Sequence, residues 1–371
     1  MSNAAPSCSI VINGRPLSGI IMQNIIKLTY SESIKDTAKL SFAIGHYEGF
    51  DLTFEDVRVG SGVKLSLGYG VNLMEVFAGE IVSVQPNYEE EDTSLNIEVL
   101  DRSYLLKKKP IPVLFTADKF PDLKSVAEHI VRKHDLDFVL NPQTKLLNYK
   151  LTDDQGIDQG DDTDWSMLDD MARTNNYKLF VRDNTVYMVD TDFLITEQLE
   201  KLIFEYRPSE PDVNLGIVIP LKKFDPRIGV EDQREAAQLI SWTPEGSSPI
   251  TEDEAALPDT EGEDGYTDIK FRATTVETIR VKGNIRNKAQ AQALVEAELQ
   301  RRAENIVTGS GTVQGLPTLK FGQIHIFRTN GLGDISRKYS GTYHITEVTH
   351  EVTIDGGFVT GFRVRRNGLA P

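Results

Sequence analysis

The sequence has little of what several protein classes require. Its 371 residues include one cysteine, Cys8, which excludes an internal disulfide framework and a cysteine-based zinc cage. No apolar run approaches the ~18 residues of a membrane helix, and the first residues lack the basic and apolar segments of a secretory signal. We therefore expect synthesis in a cytoplasm and no stable membrane insertion.

Positive charge is also scarce. The chain has 40 Lys and Arg residues against 56 Asp and Glu residues, a net charge of −16. This balance argues against specific binding of nucleic acid, whose phosphates attract basic surfaces. Nine acidic residues and no Lys or Arg fall between Glu245 and Asp268. Together with three prolines they predict a mobile acidic loop over 244–268.

Catalytic and metal-binding motifs are missing. Among the six histidines no pair has the spacing of a zinc-binding helix. His344 and His350 have the same parity in a predicted strand and would share a face, but no third ligand accompanies them. The acids from Asp153 to Asp164 precede a predicted helix, whose N-terminus they favour through its dipole. We predict no enzyme, and no catalytic, cofactor-binding or metal-binding residues.

Two basic runs stand out against this acidic background. Lys107, Lys108 and Lys109 form one, and Arg363, Arg365 and Arg366 form the other. No aromatic residues are interleaved with either run, as nucleic-acid binding would favour. We interpret both as solvated or partner-facing surface.

The first ~110 residues alternate apolar and polar side chains with a period of two, which is typical of strands with one buried face. The clearest run has Ala38, Leu40, Phe42 and Ile44 on one side; similar runs predict that Ile26 shares a face with Leu28 and Tyr30, and that Val63 to Tyr69 and Leu95 to Val99 are strands. Turns are predicted at Asn13-Gly14, Gly60-Ser61-Gly62 and Pro86-Asn87. Gly79 indicates a bulge or a close backbone approach.

The pattern changes at residue 111 and changes back near residue 199. A helical stripe from Leu123 to Val131, a second helix near Trp165 and a hairpin turning at Asp183-Asn184 predict a small α/β module over 111–198. Strands return over 199–371, interrupted by the acidic loop and by a predicted helix over 287–306. Gly79 with Ile81-Val84 and Gly341 with Ile345-Val348 form a short internal echo, which an internal duplication or chance would explain. The predicted fold is mainly β with an α+β insertion, divided into 1–110, 111–198 and 199–371.

Three ordered blocks of the sequence resemble a known family. The first runs through Val63–Tyr69, Val76–Ile81 and Val99–Leu105, and the second is Thr163–Leu168 with Ala172, Asn176 and Tyr177. The third contains Gly315–Ile324, Tyr339–Ile345, His350 and Arg365–Asn367. These blocks resemble the phage late control gene D proteins, the baseplate central hubs of contractile tails, which are related to the hub half of type VI secretion spike proteins.

The resemblance implies a fold and a function. It implies two tail-tube-like antiparallel β-barrels per chain and a homotrimer whose barrels form a ring, joining a sixfold inner tube to a threefold spike. The spike protein, the inner tube proteins and other baseplate components would be the partners, and the chain would assemble into a phage tail, a tailocin or an extracellular injection system. Since the chain stops at Pro371 without a spike extension, we expect a separate spike protein.

Two other functions stay open at this point. A carbohydrate- or cell-wall-binding β module for receptor recognition would require exposed aromatic platforms for sugar stacking. A hydrolase embedded in the tail would require paired carboxylates outside the helix N-terminus at Asp164, and the sequence offers none.

Overall fold

A computed structural model gives the fold of the chain. It describes residues 5–34, 36–47, 52–53, 55–89, 93–109, 111–140, 157–174, 177–182, 184–190, 201–206, 218–229, 236–242, 249–251, 255–256, 277–279, 305–353 and 357–366. Within these ranges the protein is mainly β, as the alternating sequence predicted. None of the helices in them is both long and apolar enough to cross a membrane.

The amino-terminal part is a β-sheet with two short helices. Its elements are β1 (Pro6–Ile12), β2 (Arg15–Pro16), α1 (Gly19–Gln23), β3 (Ile25–Ser33), β4 (Lys39–Gly45), β5 (Gly62–Tyr69), β6 (Asn72–Tyr88), β7 (Thr93–Leu100) and α2 (Ser103–Leu106). The strand order is β2-β1-β5-β6-β7-β4-β3, and all these pairings are antiparallel. The predicted inward runs are buried, including Leu40, Phe42 and Ile44.

Two details of the predicted strands are wrong. Ile26 is 38% exposed, because a bulge between Ile25 and Lys27 reverses the side-chain parity at that point of β3. Pro86-Asn87 is not a turn but lies inside β6, where Pro86 pairs with Leu95. Gly79 is a close approach as predicted, since a Cβ there would lie 2.4 Å from Leu100 O.

The middle part contains two helices and two small sheets. Its elements are β8 (Leu114–Phe115), α3 (Leu123–Arg132), β9 (Asp137–Leu140), β10 (Ile157–Asp158), α4 (Asp164–Thr174), β11 (Lys178–Arg182) and β12 (Thr185–Val189). A capping box between Asp122 and Ser125 begins α3, and the Thr163 hydroxyl accepts the Ser166 N–H at the start of α4. The helices bury Val126, Ile130 and Leu168 against the β9-β12-β11 sheet.

The carboxyl-terminal part forms a closed barrel. Its elements are β13 (Ile203–Tyr206), β14 (Val218–Ile228), β15 (Ala236–Trp242), β16 (Pro249–Thr251), β17 (Ala255–Ala256), β18 (Glu277–Ile279), β19 (Val307–Gln314), β20 (Ile324–Thr329), α5 (Asp334–Tyr339), β21 (Gly341–Thr353) and β22 (Gly357–Arg366). The circuit β21-β20-β13-β14-β19-β22 closes because β22 pairs with β21. All its pairings are antiparallel except those of β13, which runs parallel to β14 and β20.

Parts of this region differ from the sequence prediction or lie beyond the described residues. Within the predicted acidic loop 244–268, residues 249–251 and 255–256 are short strands that pair with β15, and the other positions lie outside the described residues. The predicted helix 287–306 also lies outside them, apart from 305–306, which are not helical. The division into 1–110, 111–198 and 199–371 stays a prediction.

A single run of strands joins the two β regions. The order β6-β7-β4-β3-β21-β22-β19-β14 is antiparallel throughout, and β3 pairs with β21 at its centre. We call these eight strands the shared sheet. The Phe358 side chain of β22 packs in the core of the amino-terminal part, so the β21–β22 hairpin contributes to both cores.

The two halves of the shared sheet match about the Tyr30–His350 pair. These residues are register partners, and their rings stack with centroids 5.8 Å apart. Bulges at Ile26 and Thr346 lie at the same distance before Tyr30 and His350 along β3 and β21. The outermost strands β6 and β14 carry further matching bulges, between Ile81 and Ser83 and between Leu221 and Lys223.

This arrangement corrects the alignment of the internal echo. The echo paired the Ile81-Val84 segment with Ile345-Val348, whereas the strand order makes β6 the counterpart of β14 and β3 the counterpart of β21. The counterpart strands occur in a different order along the chain, since β3 precedes β6 but β21 follows β14. A linear comparison of the sequence therefore does not align them.

Candidate functional site

The outward side of the shared sheet is a continuous polar surface. Because neighbouring residues of a strand point to opposite sides, the positions between the buried residues all face outward. We call the following outward residues the polar sheet face: Ser83, Gln85, Asn96, Glu98, Lys39, Ser41, Lys27, Thr29, Glu347, Thr349, Glu351, Gly361, Arg363, Ser310, Thr312, Lys223 and Asp225. No aromatic residue is among them.

The charges on the polar sheet face are paired with one another. Lys27 Nζ lies 3.3 Å from Glu351 Oε2 and Lys39 Nζ lies 2.8 Å from Glu98 Oε2. Arg363 Nη1 lies 3.1 Å from Glu347 Oε2, and Lys223 contacts Asp225 in the same way. Such exposed pairs contribute about 0–1 kcal/mol each to stability. Their larger effect is to leave this face close to neutral in a chain of net charge −16.

Two shallow grooves lie on this face at matching positions. One, of about 190 Å³, is lined by residues of β3, β4, β7 and β6, including Lys27, Ser41 and Ser83. The other, of about 220 Å³, is lined by the counterpart strands β21, β22, β19 and β14, including Glu347, Gly361 and Lys223. The grooves are lined by counterpart positions of the two half-sheets, but the residues at those positions are mostly different.

In the part of the chain that the structure describes, each end of the shared sheet has a free edge. After Ile81, β6 pairs with β7 alone, and no described strand covers its other side. After Pro220, β14 pairs with β19 alone in the same way. The strands alternate in direction across the shared sheet, so its two free edges run antiparallel to each other. We call them the β6 edge and the β14 edge.

A proline nitrogen faces outward from each free edge. The His46 N–H donates to Thr93 O on the β4 side of β7, so alternate residues from Thr93 direct their backbone groups toward β4. Leu95 is one of them, and its register partner Pro86 therefore directs its nitrogen away from β7. Because the sequence pattern predicts a turn at Pro86-Asn87, it does not identify Pro86 as a proline on a strand edge.

The β14 edge has the same geometry. The Gly229 N–H donates to Ile306 O, so alternate residues back from Gly229 face β19. Pro226, the partner of Gly309, lies between two of these residues and therefore directs its nitrogen away from β19. Pro86 and Pro226 also follow their respective bulges by the same number of residues.

A buried polar junction holds the three parts of the described chain together. The carboxyl group of Glu32 accepts hydrogen bonds from Tyr30 Oη at 2.7 Å and from the Phe321 N–H at 3.1 Å. Arg182 of β11 donates to Phe321 O at 2.8 Å, and its guanidinium lies over the Phe321 ring at 4.9 Å and the Phe180 ring at 5.5 Å. Burial raises the pKa of Glu32 above 4.5, while the Tyr30 hydrogen bond and the Arg182 charge lower it.

The junction explains the best-matching motif of the sequence. The Gly315–Ile324 segment bonds both β regions: Tyr69 Oη donates to Gly315 O at 2.8 Å, and the Leu316 N–H donates to Thr360 Oγ1 at 2.8 Å. Further along, the Gly322 N–H donates to Ile345 O. The motif is therefore a strap that fixes the two β regions together, and its glycines and apolar positions serve packing.

His344 and His350 lie on opposite faces of the sheet, contrary to prediction. The bulge at Thr346 reverses the parity of β21 between them. His344 lies on the side of the sheet opposite to Ile345 but is buried there, and Arg365 Nε donates to its Nδ1 at 3.3 Å. His350 lies on the core side and hydrogen-bonds Thr360 Oγ1 at 2.9 Å. Burial lowers the pKa of His344 to about 3 and that of His350 to about 4. In the part of the chain that the structure describes, no three His, Cys, Asp or Glu residues group as a metal site.

Parts of the basic runs differ from the predicted solvated or partner-facing surface, although Lys109 and Arg363 are exposed. Arg365 and Arg366 are buried, and Arg366 donates to Ser340 O at 2.7 Å with its guanidinium over the Tyr343 ring. Lys107 is half-buried over the Trp165 ring. Tertiary contacts thus place aromatic rings beside cations that have no aromatic neighbours in sequence.

Lys108 and Lys109 of the first run also have partners. The Lys108 ammonium lies 4.8 Å from the centre of the Tyr104 ring, and Lys109 pairs with Asp161 at 2.9 Å. Most of these cations therefore have an acidic or aromatic partner within the chain. Arg363 is one of them, since it pairs with Glu347 on the polar sheet face.

Asp164 has a larger role than the helix entry that the sequence indicated. Its carboxyl group is buried and accepts from Gln159 Nε2 at 2.7 Å, pairs with Lys133 Nζ at 3.0 Å and lies 2.6 Å from His134 Nε2. These hydrogen bonds outweigh burial and lower the pKa of Asp164. The cluster ties the end of α3 to the start of α4. It contains no nucleophile, so we interpret it as structural.

The fold of the chain is similar to that of solved structures of other proteins. The chain is similar to a 43 kDa tail protein of prophage MuSo2 from Shewanella oneidensis, with 12% identity, a TM-score of 0.65, and coverage of 98% of this chain and 99% of that one. It is also similar to a tail protein from Neisseria meningitidis MC58, with 12% identity, a TM-score of 0.68, and coverage of 99% and 98%. At these identities the likeness shows the fold, which is that of phage tail proteins.

A third neighbour comes from a secretion system. It is an E. coli component of the type VI secretion system with structural similarity to the T4 tail proteins gp27 and gp5; the identity is 11%, the TM-score is 0.57, and the match covers 98% of this chain and 79% of that one. No curated protein matches the chain in sequence. A family model does match, over residues 2–354, and the chain therefore belongs to the family described as the Alg8 N-terminal domain.

Proposed function

We propose that the protein is a structural, non-enzymatic baseplate hub of a contractile injection device. In this proposal three copies form a ring that adapts the sixfold inner tube to the threefold spike, within a phage tail, a tailocin or an extracellular injection system. The late control gene D assignment and the trimer belong to the proposal. The fold that the chain has in common with tail proteins supports it, and so do three features of the shared sheet.

The observation that carries the proposal is the pair of free edges. The β6 edge and the β14 edge lie at opposite ends of one antiparallel sheet and run in opposite directions. The β6 edge of one copy can therefore meet the β14 edge of the next copy as an antiparallel pair. A head-to-tail contact of this kind closes a ring when the rotation between copies allows it.

The matched halves of the shared sheet supply the change of symmetry. Each chain has two similar half-sheets that meet at the Tyr30–His350 pair. A ring of three copies would then contain six half-sheets, with the two kinds in alternation. Its backbone would have approximately sixfold symmetry, whereas its side chains would have only threefold symmetry. This is the property that an adaptor between a sixfold tube and a threefold spike requires.

The chemistry of the polar sheet face suits the wall of a passage. Small hydroxyl and amide side chains keep it hydrated, and its paired charges give little attraction to a passing chain of either sign. A receptor-binding module would instead present aromatic rings to a sugar. Among the described residues the one strongly exposed large aromatic is Tyr88, at 80%, so no observation favours the carbohydrate-binding alternative.

The mass of the purified protein in solution tests the proposal. We expect light scattering after size exclusion to give about three times 41.5 kDa, either alone or after addition of the spike and tube proteins, with a six-lobed ring in negative stain. Val84→Pro removes an N–H that faces outward from the β6 edge and should shift the trimer toward monomer. Gln85→Ala is the control, because the N–H of Gln85 faces β7. A protein that stays monomeric with both partners present contradicts the hub assignment.

A further inference from the structure

The two free edges are modified in the same way. Each carries one proline, Pro86 or Pro226, at the matching position after its bulge. Neither proline lies at a turn, and neither interrupts its own ladder, because both nitrogens face away from the paired neighbour. Among the described residues, no contact requires a proline at these positions.

Outside the chain, the effect of the prolines is specific. The N–H groups that face outward from the β6 edge belong to Val84 and Tyr88, and Pro86 removes the donor between them. On the β14 edge the outward donors belong to Phe224 and Ile228, and Pro226 removes the one between them. Each edge therefore keeps its carbonyl acceptors and its outer donors but lacks the central donor of an intermolecular ladder.

Free edges of this kind invite pairing with further chains. The exposed neighbours on the β6 edge offer little protection, since no charged side chain lies among Val84, Gln85, Pro86 and Asn87. We propose that Pro86 and Pro226 guard the two edges, weakening edge-to-edge pairing between copies of this chain so that the ring forms without open-ended polymers. The inference rests on the proposed function in taking a second copy as the partner of each edge.

The antiparallel directions of the edges favour a second copy as that partner. The β6 edge of one copy and the β14 edge of another run antiparallel and match in bulge position and proline position. The same features also allow wrong pairings, β6 with β6 or β14 with β14, and chains joined head to tail without closing. A proline on both edges weakens every one of these pairings, whereas a proline on one edge would leave the other free to pair with itself.

Substitution of the prolines tests the inference. Pro86→Ala, Pro226→Ala and the double variant each restore an outward N–H with little change in side-chain volume. Pro220→Ala is the matched control, because Pro220 lies in the same strand but within the part already paired with β13. The association constant and the size distribution are measured by sedimentation velocity over a range of protein concentrations, and the thermal unfolding profile checks that each variant folds.

We expect each restored donor to strengthen self-association about three- to tenfold, the effect of one added hydrogen bond. The double variant should also form species larger than a trimer, while Pro220→Ala behaves like the parent. If the parent trimerises and all three guard variants keep its association constant and size distribution, the guarding role is refuted and the hub proposal survives. If the parent never trimerises with its partners but the guard variants still associate more strongly, the hub proposal fails and the guarding role stands.

Discussion

Removal of the Arg182 side chain should weaken the junction. It should also leave the buried Glu32 carboxyl group without the positive charge that Arg182 supplies. Arg182→Met keeps much of the aliphatic bulk but loses the hydrogen bond from Nη2 to Phe321 O. That bond is 2.8 Å long, and its donor is a charged guanidinium group. Such a bond contributes about 1.5–3 kcal/mol, and the contacts over Phe321 and Phe180 add about 0.5–1 kcal/mol each. These contributions together predict a loss of about 2.5–5 kcal/mol in the free energy of unfolding.

The variant should also make stability depend more steeply on pH. Burial raises the pKa of Glu32 in the folded protein, so the folded state binds more protons than the unfolded state once the pH exceeds 4.5, and stability falls as the pH rises toward the folded pKa. Arg182 opposes this shift. Without it the pKa of Glu32 rises further, and the loss of stability extends to higher pH.

A double-mutant cycle with Glu32→Gln separates the two effects. Glutamine is uncharged and can still accept the Phe321 N–H and bond the Tyr30 hydroxyl. The double variant should therefore be more stable than the sum of the single changes predicts, by about 0.5–3 kcal/mol, in urea unfolding followed by tryptophan fluorescence at pH 7. Additivity within about 0.5 kcal/mol, together with an unchanged pH profile for Arg182→Met, would refute the argument.

Two further predictions follow from buried positions. Gly79→Ala should lower the thermal midpoint sharply, because its Cβ would lie 2.4 Å from Leu100 O in the neighbouring strand, and a parent-like midpoint in calorimetry would show that the strand can shift. His325, His344 and His350 are buried with pKa values lowered to about 4, 3 and 4, so the stability they contribute is complete above pH 6.5 and is lost as the pH falls toward those values. Urea unfolding between pH 7 and pH 4 should show this decline, and His350→Gln should flatten it; equal slopes for the two proteins would contradict it.

The strands with regular alternation could be predicted from sequence, and the exceptions have one physical cause. Leu40, Phe42 and Ile44 are inward as expected because β4 contains no bulge. Ile26 and His344 were assigned by parity, and a bulge in each strand reversed the parity that the assignment relied on. A bulge adds one residue without a marker in the local composition, so period-two reasoning fails across it.

The site was harder to predict than the fold, because it consists of relations between distant strands. The polar sheet face appears in the sequence only as the polar half of each alternation, and its charge pairs join residues as distant as Lys27 and Glu351. The burial of Arg365 and Arg366 depends on rings and carbonyls that lie elsewhere in the chain. Composition alone assigns such residues to the surface.

The residues proposed to act in assembly are not those of the motifs that carry the family resemblance. The Gly315–Ile324 strap is recognisable because it must satisfy several hydrogen bonds and close contacts at once, as at Leu316 and Gly322. The polar sheet face must only remain small, polar and balanced in charge, and many sequences meet that requirement. The two matched grooves lie on counterpart strands but have different side chains for this reason. A wall of the kind proposed, built on backbone geometry, is compatible with low sequence identity to the tail proteins. The positions that cannot vary freely should then be those fixed by backbone hydrogen bonding and close contact, together with the proposed guards Pro86 and Pro226.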